Sequence, residues 1–490
     1  MANRSVLRAA ICACVALTCG SAAEGAITSV IVKTSRDFEN APGYKYAEIM
    51  VQGSVDRDDG STGVYSVPAV IIYPRDGRGN RVGVVDWLNS GFYHFFPPTT
   101  EDGTIEFTRL ATGNYLFDEG YTYISIQWNK KVTHIFGPTA PLGPHNHLVY
   151  GSIDKSADAW EILLDAARLL KDPRLYPGGD GPARVKTVLS SGYSQGGALQ
   201  LELLAENRDP GRVYDGHLIQ MIGLVCWKRE DVEPHFGFLE DCGPLPTSGK
   251  HAPVMVLASE SDMVAFQPPG FPFGKSAFFA RNRSNPNWRQ DEMAGISHIP
   301  APILPVAHAD QNTADARPIF RAAFANLTAW THGRYRVKPP ESRYFKGSVD
   351  ANDAFIPITD RDGHFAGGVR LPHVESTVHG CTAGAPLGRH RPLNPVVLDP
   401  PDPFVFLGGT FTRFTDAELL DRYPSRNEYV SRVTIAVDSL VARRYITYKD
   451  WKALIASAKV EQLPIPPGDD DGNDFTGATP CPKPQPATSR

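Results

Sequence analysis

Residues 184–203, RVKTVLSSGYSQGGALQLEL, constrain this chain more than any other stretch. A β-type run, Val185-Lys186-Thr187-Val188-Leu189, leads into Gly192-Tyr193-Ser194-Gln195-Gly196 and then into a helical pattern from Ala198 to Leu204. Strand, tight turn and helix around G-x-S-x-G form a nucleophile elbow, a strained turn that pushes a serine hydroxyl clear of the sheet. Gly192 and Gly196 are required because side chains there would collide with the neighbouring strand and helix. The backbone N–H of Gln195, at the start of the helix, then points to where an oxyanion would form.

A serine hydroxyl is a weak nucleophile and needs a base, usually histidine, held in one tautomer by a carboxylate. In proteins with this elbow the chain order is serine, acid, histidine. Downstream of Ser194, the strand-like run PVMVLA (253–258) opens into Ser259-Glu260-Ser261-Asp262, and the next histidine is His298 in Ala294-Gly295-Ile296-Ser297-His298. His235 and His251 precede the acid in the chain, and His308 is a secondary candidate. Glu260 and Asp262 compete for the orienting role. Counting five residues from Leu257, as in the pattern L-x-G-x-x-D, selects Asp262, with Glu260 in a structural role. A second oxyanion donor is expected from the loop Asn89-Ser90-Gly91, as a backbone N–H of Ser90 or Gly91. The aromatic residues around His94 (Phe92, Tyr93, Phe95, Phe96) either wall an acyl pocket or fill the core beneath that loop.

The rest of the chain alternates buried strands and helices, the pattern of a parallel α/β sheet. Strand-like runs cover 26–33, 46–53, 65–73, 81–88, 121–128, 218–226 and 253–258, the first three reading as an antiparallel edge. Residues 154–170 have helical spacing with Asp154 as the expected N-cap, and 315–331 form a second amphipathic helix. The loops after Leu88, Leu189 and Ala258 fall at carboxyl ends of strands, where chemistry gathers in such sheets. Residues 227–250 read as a cap over the site. Beyond Tyr335 the chain is Pro-rich and irregular until helical stretches at 416–420, 428–443 and 450–457. From Ile465 the Pro-, Asp- and Gly-rich tail reads as disordered, and its acidic run at 469–474 lacks EF-hand spacing.

Of 490 residues 42% are hydrophobic, enough for one large core or two ordinary ones, and the net charge of −5 is spread over both signs. Neither nucleic acid nor a membrane surface is implied as a partner. Arg4 and Arg8, the apolar run Ala9–Leu17 and Ser21-Ala22-Ala23 read as a signal peptide over residues 1–23, too short to span a bilayer. Four cysteines remain after it, which allow three pairings; near-neighbour pairing favours Cys226 with Cys242 and Cys381 with Cys481, and the sequence does not fix the connectivity. No C-x-x-C or H-E-x-x-H pattern points to zinc.

Taken together, several motifs resemble a family of large, mostly uncharacterised bacterial proteins, the alpha/beta hydrolase domain proteins. They are the Asn89–Gly91 loop after a strand, the Gly-Tyr-Ser-Gln-Gly elbow, the Ser259–Asp262 loop, the Ala-Gly-x-x-His motif ending at His298, and Gly-Gly-Val-Arg-x-Pro at 367–372. Ser90 stands where that family often has arginine, which bears on a side-chain contact there and not on the backbone donor. The resemblance implies an α/β-hydrolase fold with an esterase-like activity and a C-terminal region packed on the core. The expected organisation is a signal peptide (1–23), a core (24–335) with its cap at 227–250, a packed C-terminal region (336–464) and a tail (465–490). The expected protein is a secreted or periplasmic serine esterase using Ser194, His298 and Asp262, with no cofactor or metal, on a small-molecule or polymeric ester. A serine peptidase or amidase on the same fold, and a catalytically silent fold used for binding, are the alternatives. The sequence discloses neither acyl nor alcohol specificity, nor oligomeric state.

Overall fold

A computed structural model describes residues 26–57, 59–77, 79–88, 111–128, 152–153, 158–177, 181–222, 225–227, 239–241, 251–264, 281, 285–300, 310–333, 336–351, 355–375, 377–378, 381–382, 384–393 and 407–464. In chain order the first half contains β1 (Ala26–Asp37), β2 (Tyr44–Asp56), β3 (Thr62–Pro74), β4 (Val82–Trp87), α1 (Tyr115–Asp118), β5 (Thr122–Ile126), β6 (Ser152–Ile153), α2 (Ala159–Lys171), β7 (Thr187–Tyr193), α3 (Gln195–Ala205) and β8 (Gly216–Gln220). Then come β9 (Val225–Trp227), β10 (Leu239–Asp241), β11 (Val254–Ser259), β12 (Trp288–Met293) and α4 (Arg317–Thr331).

One ten-stranded sheet runs β1-β2-β3-β5-β4-β7-β8-β11-β12, with β6 paired to β3. The β1–β3 edge is antiparallel, as expected, and β5 through β12 along that order are parallel. The chain steps from β4 outward to β5 and then returns past β4 to β7, so strand order reverses there. A crevice opens at the carboxyl ends of the strands at such a point.

Both faces of the sheet are covered, so β4, β5, β7, β8 and β11 are buried along their whole length. Side chains alternate between the two cores. Val85, Val188, Ile219 and Val256 face the layer of α2 and α3, where Leu163, Leu169, Leu199 and Leu203 pack. Val84, Leu189, Leu218 and Leu257 face α4, through Phe320, Phe324 and Leu327.

The C-terminal region holds three two-stranded pairs, β13 (Gly347–Val349) with β14 (Phe355–Pro357), β15 (Thr377–Val378) with β16 (Cys381–Thr382), and β17 (Gly388–Arg391) with β18 (Thr410–Arg413). Its helices are α5 (Asp416–Arg422), α6 (Arg426–Ala442) and α7 (Tyr448–Val460). Their starts are written locally, since Thr415, Ser425 and Thr447 each accept the backbone N–H three residues on. Tyr423, Val433, Val437 and Leu440 share one apolar core with α4, so this region packs on the hydrolase-type sheet as expected. Arg321 of α4 also pairs with the buried Asp450 of α7 at 2.5 Å.

Three expectations need correction. Helix α2 begins at Ala159 with Asp158 at the N-cap position, its carboxylate binding Arg57 at 2.7 and 2.8 Å, while Asp154, the expected N-cap, lies outside the described residues. The run 218–226 is two elements, because Met221 takes a left-handed φ of 51° after β8 ends. The stretch beyond Tyr335, expected to be irregular up to the helices, is so over much of its described length but also carries three strand pairs too short for a periodic signal. Strand β12 was not anticipated at all. It reads WRQDEM, and its acids are sheltered by partners remote in sequence. Arg281 grips Glu292 at 2.6 and 2.8 Å, and the backbone N–H of Arg343 donates to Asp291 at 3.1 Å. Bridges from Arg343 and Val369 close its outer edge.

Of the expected cap (227–250), only Trp227 and Leu239–Asp241 are described, as part of the β9–β10 pair. Cys242 and Cys481 lie outside the described residues, and both expected disulfides with them. Among the described residues no helix is long and apolar enough to cross a membrane, and no group of His, Cys, Asp or Glu could hold a metal ion.

Candidate active site

Ser194 joins β7 to α3 with φ 55° and ψ −117°, a conformation costly for a residue with a Cβ. Its backbone N–H is pinned to Gln220 O at 2.8 Å, which fixes the turn against the end of β8. The close approach that tolerates only glycine is plain on both sides. A Cβ on Gly196 would lie 1.8 Å from Trp87 O, and one on Gly192 would lie 2.5 Å from the Gly196 backbone. Gln195 opens α3, so its backbone N–H lies at the positive end of the helix dipole beside Ser194.

The other two candidates stand at the carboxyl ends of neighbouring strands, Asp262 in the single turn Ser261–Met263 after β11 and His298 in the loop after β12. The three side chains meet. Ser194 Oγ lies 2.8 Å from His298 Nε2, and His298 Nδ1 lies 2.6 Å from Asp262 Oδ1. An ionised carboxylate can only accept, so Nδ1 carries the proton and Nε2 is left to accept from the serine hydroxyl. His298 and Asp262 are buried, at 3% and 1% exposure, while Ser194 is partly exposed.

The acid loop spends every side chain on this arrangement. Asp262 Oδ2 accepts from Ser259 N at 2.7 Å, and Ser259 Oγ accepts from Asp262 N at 3.1 Å. Ser261 Oγ accepts from His298 N at 2.6 Å. Glu260, the competing acid, turns away from the imidazole. Its Oε2 accepts from Gly295 N at 2.6 Å and from Phe365 N at 3.3 Å, tying the histidine loop to the C-terminal region. Full burial pushes its carboxyl up to about 7, against the smaller opposing effect of those N–H donors.

Sequence reasoning missed Tyr193. Its hydroxyl donates to His298 O at 2.5 Å, and its ring meets the imidazole edge-on at 5.8 Å. Burial raises its phenol well above the ordinary value, so it remains a donor. Only its place beside the nucleophile hinted at such a role. Among the other candidates, His251 pairs with Asn285 at 2.7 Å. Ser90, Gly91, the aromatic residues around His94, His235 and His308 lie outside the described residues.

A family model described as "Alpha/beta hydrolase domain" matches residues 40–456. No curated protein matches the chain. Solved structures similar to it include an arylesterase, 12% identical with a TM-score of 0.31, covering 63% of this chain and 88% of that one. A glucuronoyl esterase from Solibacter usitatus is 11% identical with a TM-score of 0.25, covering 49% and 71%. A hyperthermophilic esterase from the archaeon Pyrobaculum calidifontis is 14% identical with a TM-score of 0.24, covering 47% and 68%.

Proposed function

Since the chain belongs to the alpha/beta hydrolase domain family, we propose that it is a secreted or periplasmic serine esterase that cleaves a carboxylic ester through an acyl-enzyme. The observation that carries this reading is the unbroken line of hydrogen bonds from Ser194 through His298 to Asp262. Ser194 Oγ attacks the ester carbonyl while His298 Nε2 takes its proton. The imidazolium formed is stabilised by Asp262, itself held in place by Ser259 N. The Gln195 N–H and a donor from the Asn89–Gly91 loop bind the oxyanion. His298 then returns the proton to the leaving alcohol. Water, deprotonated by the same nitrogen, releases the acid and restores the serine. The cycle so written draws on no cofactor, and its substrate is a small-molecule or polymeric ester. Export rests on the signal-like residues 1–23.

A fluorophosphonate probe and a panel of p-nitrophenyl esters of graded acyl length, run beside peptide substrates, test the reading. Labelling at Ser194 and ester turnover are expected, both lost in Ser194→Ala. Full labelling of that variant would put the nucleophile elsewhere. Turnover of peptides but not esters would make the protein an amidase. A folded wild-type chain that neither labels nor turns over would be a silent hydrolase fold.

A further inference from the structure

The loop that carries His298 is held from a direction the triad does not explain. Asn312, fully buried, donates through Nδ2 to Gly295 O at 2.9 Å and to Ser297 Oγ at 2.7 Å. Its Oδ1 accepts from Ala314 N at 2.9 Å. A carbonyl on one side and a backbone N–H on the other leave this amide a single orientation. His390 Nδ1 lies 2.8 Å from the same Oδ1 and therefore carries a proton and donates. The His390 backbone N–H donates to His364 Nε2 at 3.1 Å, so that imidazole too is fixed, with its proton on Nδ1. The rings of Phe411, His373 and His364 enclose His390 at 4.7, 5.2 and 5.8 Å. His390 belongs to β17, and its hairpin partner β18 bonds the strip before α4 through Phe411 N to Asp310 O.

We propose that Asn312 is a positioning residue for His298 and that His390, from the C-terminal region, holds Asn312 in its working orientation. The proposal rests on the reading of His298 as the general base. Gly295 and Ser297 are buried immediately before His298, and without Asn312 a carbonyl and a hydroxyl there would be stranded away from water. The backbone would shift to recover partners, and the imidazole would move with it. On this view the C-terminal region completes the histidine loop.

The test uses the full-length chain and three substitutions. His390→Asn keeps a side-chain N–H at the reach of Nδ1, His390→Leu removes it, and Asn312→Asp keeps shape and acceptor while removing the donors to Gly295 O and Ser297 Oγ. Two readouts are taken: kcat and KM for a p-nitrophenyl ester, and the downfield proton resonance of the His298 Nδ1–H bonded to Asp262. His390→Leu and Asn312→Asp are expected to broaden or remove the resonance. They should lower kcat by up to about 100-fold, the loss that follows displacement of a reacting group by about 1 Å. KM should stay near the wild-type value, and His390→Asn should recover both signals. Should His390→Leu fail to fold, the isosteric Asn312→Asp carries the test. An unchanged resonance and kcat in Asn312→Asp overturns the proposal. Equal losses in His390→Asn and His390→Leu also overturn it, since ring volume and not the N–H would then be what matters. If the wild-type chain hydrolyses no ester while the resonance responds as stated, positioning stands and the assigned reaction is at fault.

Discussion

Glu260 and Asp262 are two positions apart and both buried, yet their oxygens face different partners. Asp262→Asn keeps the shape but favours the wrong imidazole tautomer, a change that costs about 10⁴ in kcat in serine proteases. A loss of that order at neutral pH is expected for Asp262→Asn in steady-state kinetics, and a much smaller one for Glu260→Gln. The reverse order would make Glu260 the orienting acid. Glu260 should show itself in stability instead. Its folded value of about 7 lies above the ordinary 4.5, so the fold favours the protonated form. The associated stability is full below pH 4.5 and is lost as pH rises through about 7. Denaturation midpoints across that window should therefore fall more steeply in the wild type than in Glu260→Gln. Parallel curves would show that Glu260 does not titrate there.

At the scale of elements, β12 places His298 while looking least like a strand. Burying Glu292 is tolerated because Arg281 meets it in a two-pronged pair, with 6% and 0% of the two side chains exposed. Phe345 N adds a third bond at 2.6 Å. Arg281→Met would leave that carboxylate charged and under-compensated, at a cost of about 3–5 kcal/mol in chemical denaturation. Replacing both members, Arg281→Met with Glu292→Gln, should recover a large part of the loss. A single variant as stable as the wild type would show that the pair contributes nothing. The elbow is the opposite kind of element, because its demand for glycine is local and steric and is written in the residues themselves.

Across the whole molecule, the sheet face that receives α4 also receives the C-terminal helices, so the two halves share one core. A chain ended at residue 335 would bare this apolar face, and exposed patches of that kind drive association. Such a truncation should be recovered aggregated, without a cooperative melting transition by circular dichroism and without phosphonate labelling. A soluble truncated chain that melts cooperatively and labels at Ser194 would make the C-terminal region dispensable.

What the sequence determined by itself was everything decided over a few neighbouring residues. The elbow around Ser194, the apolar runs of β4, β7 and β11 and the periodic face of α4 all follow from local sterics and hydrophobic period. The tertiary structure decided what depends on distant partners. Which carboxylate meets His298 turned on a rotation of one short loop, Ser259–Asp262, set by Gly295 and Phe365. That a strand could be built from Trp288–Met293 depended on Arg281 and Arg343 arriving from outside it. Tyr193, Asn312 and His390 carry no motif, and their relation to His298 arises only when the chain closes on itself. A buried polar group is stable only with its partner in place, and when that partner lies tens of residues away no local pattern records it.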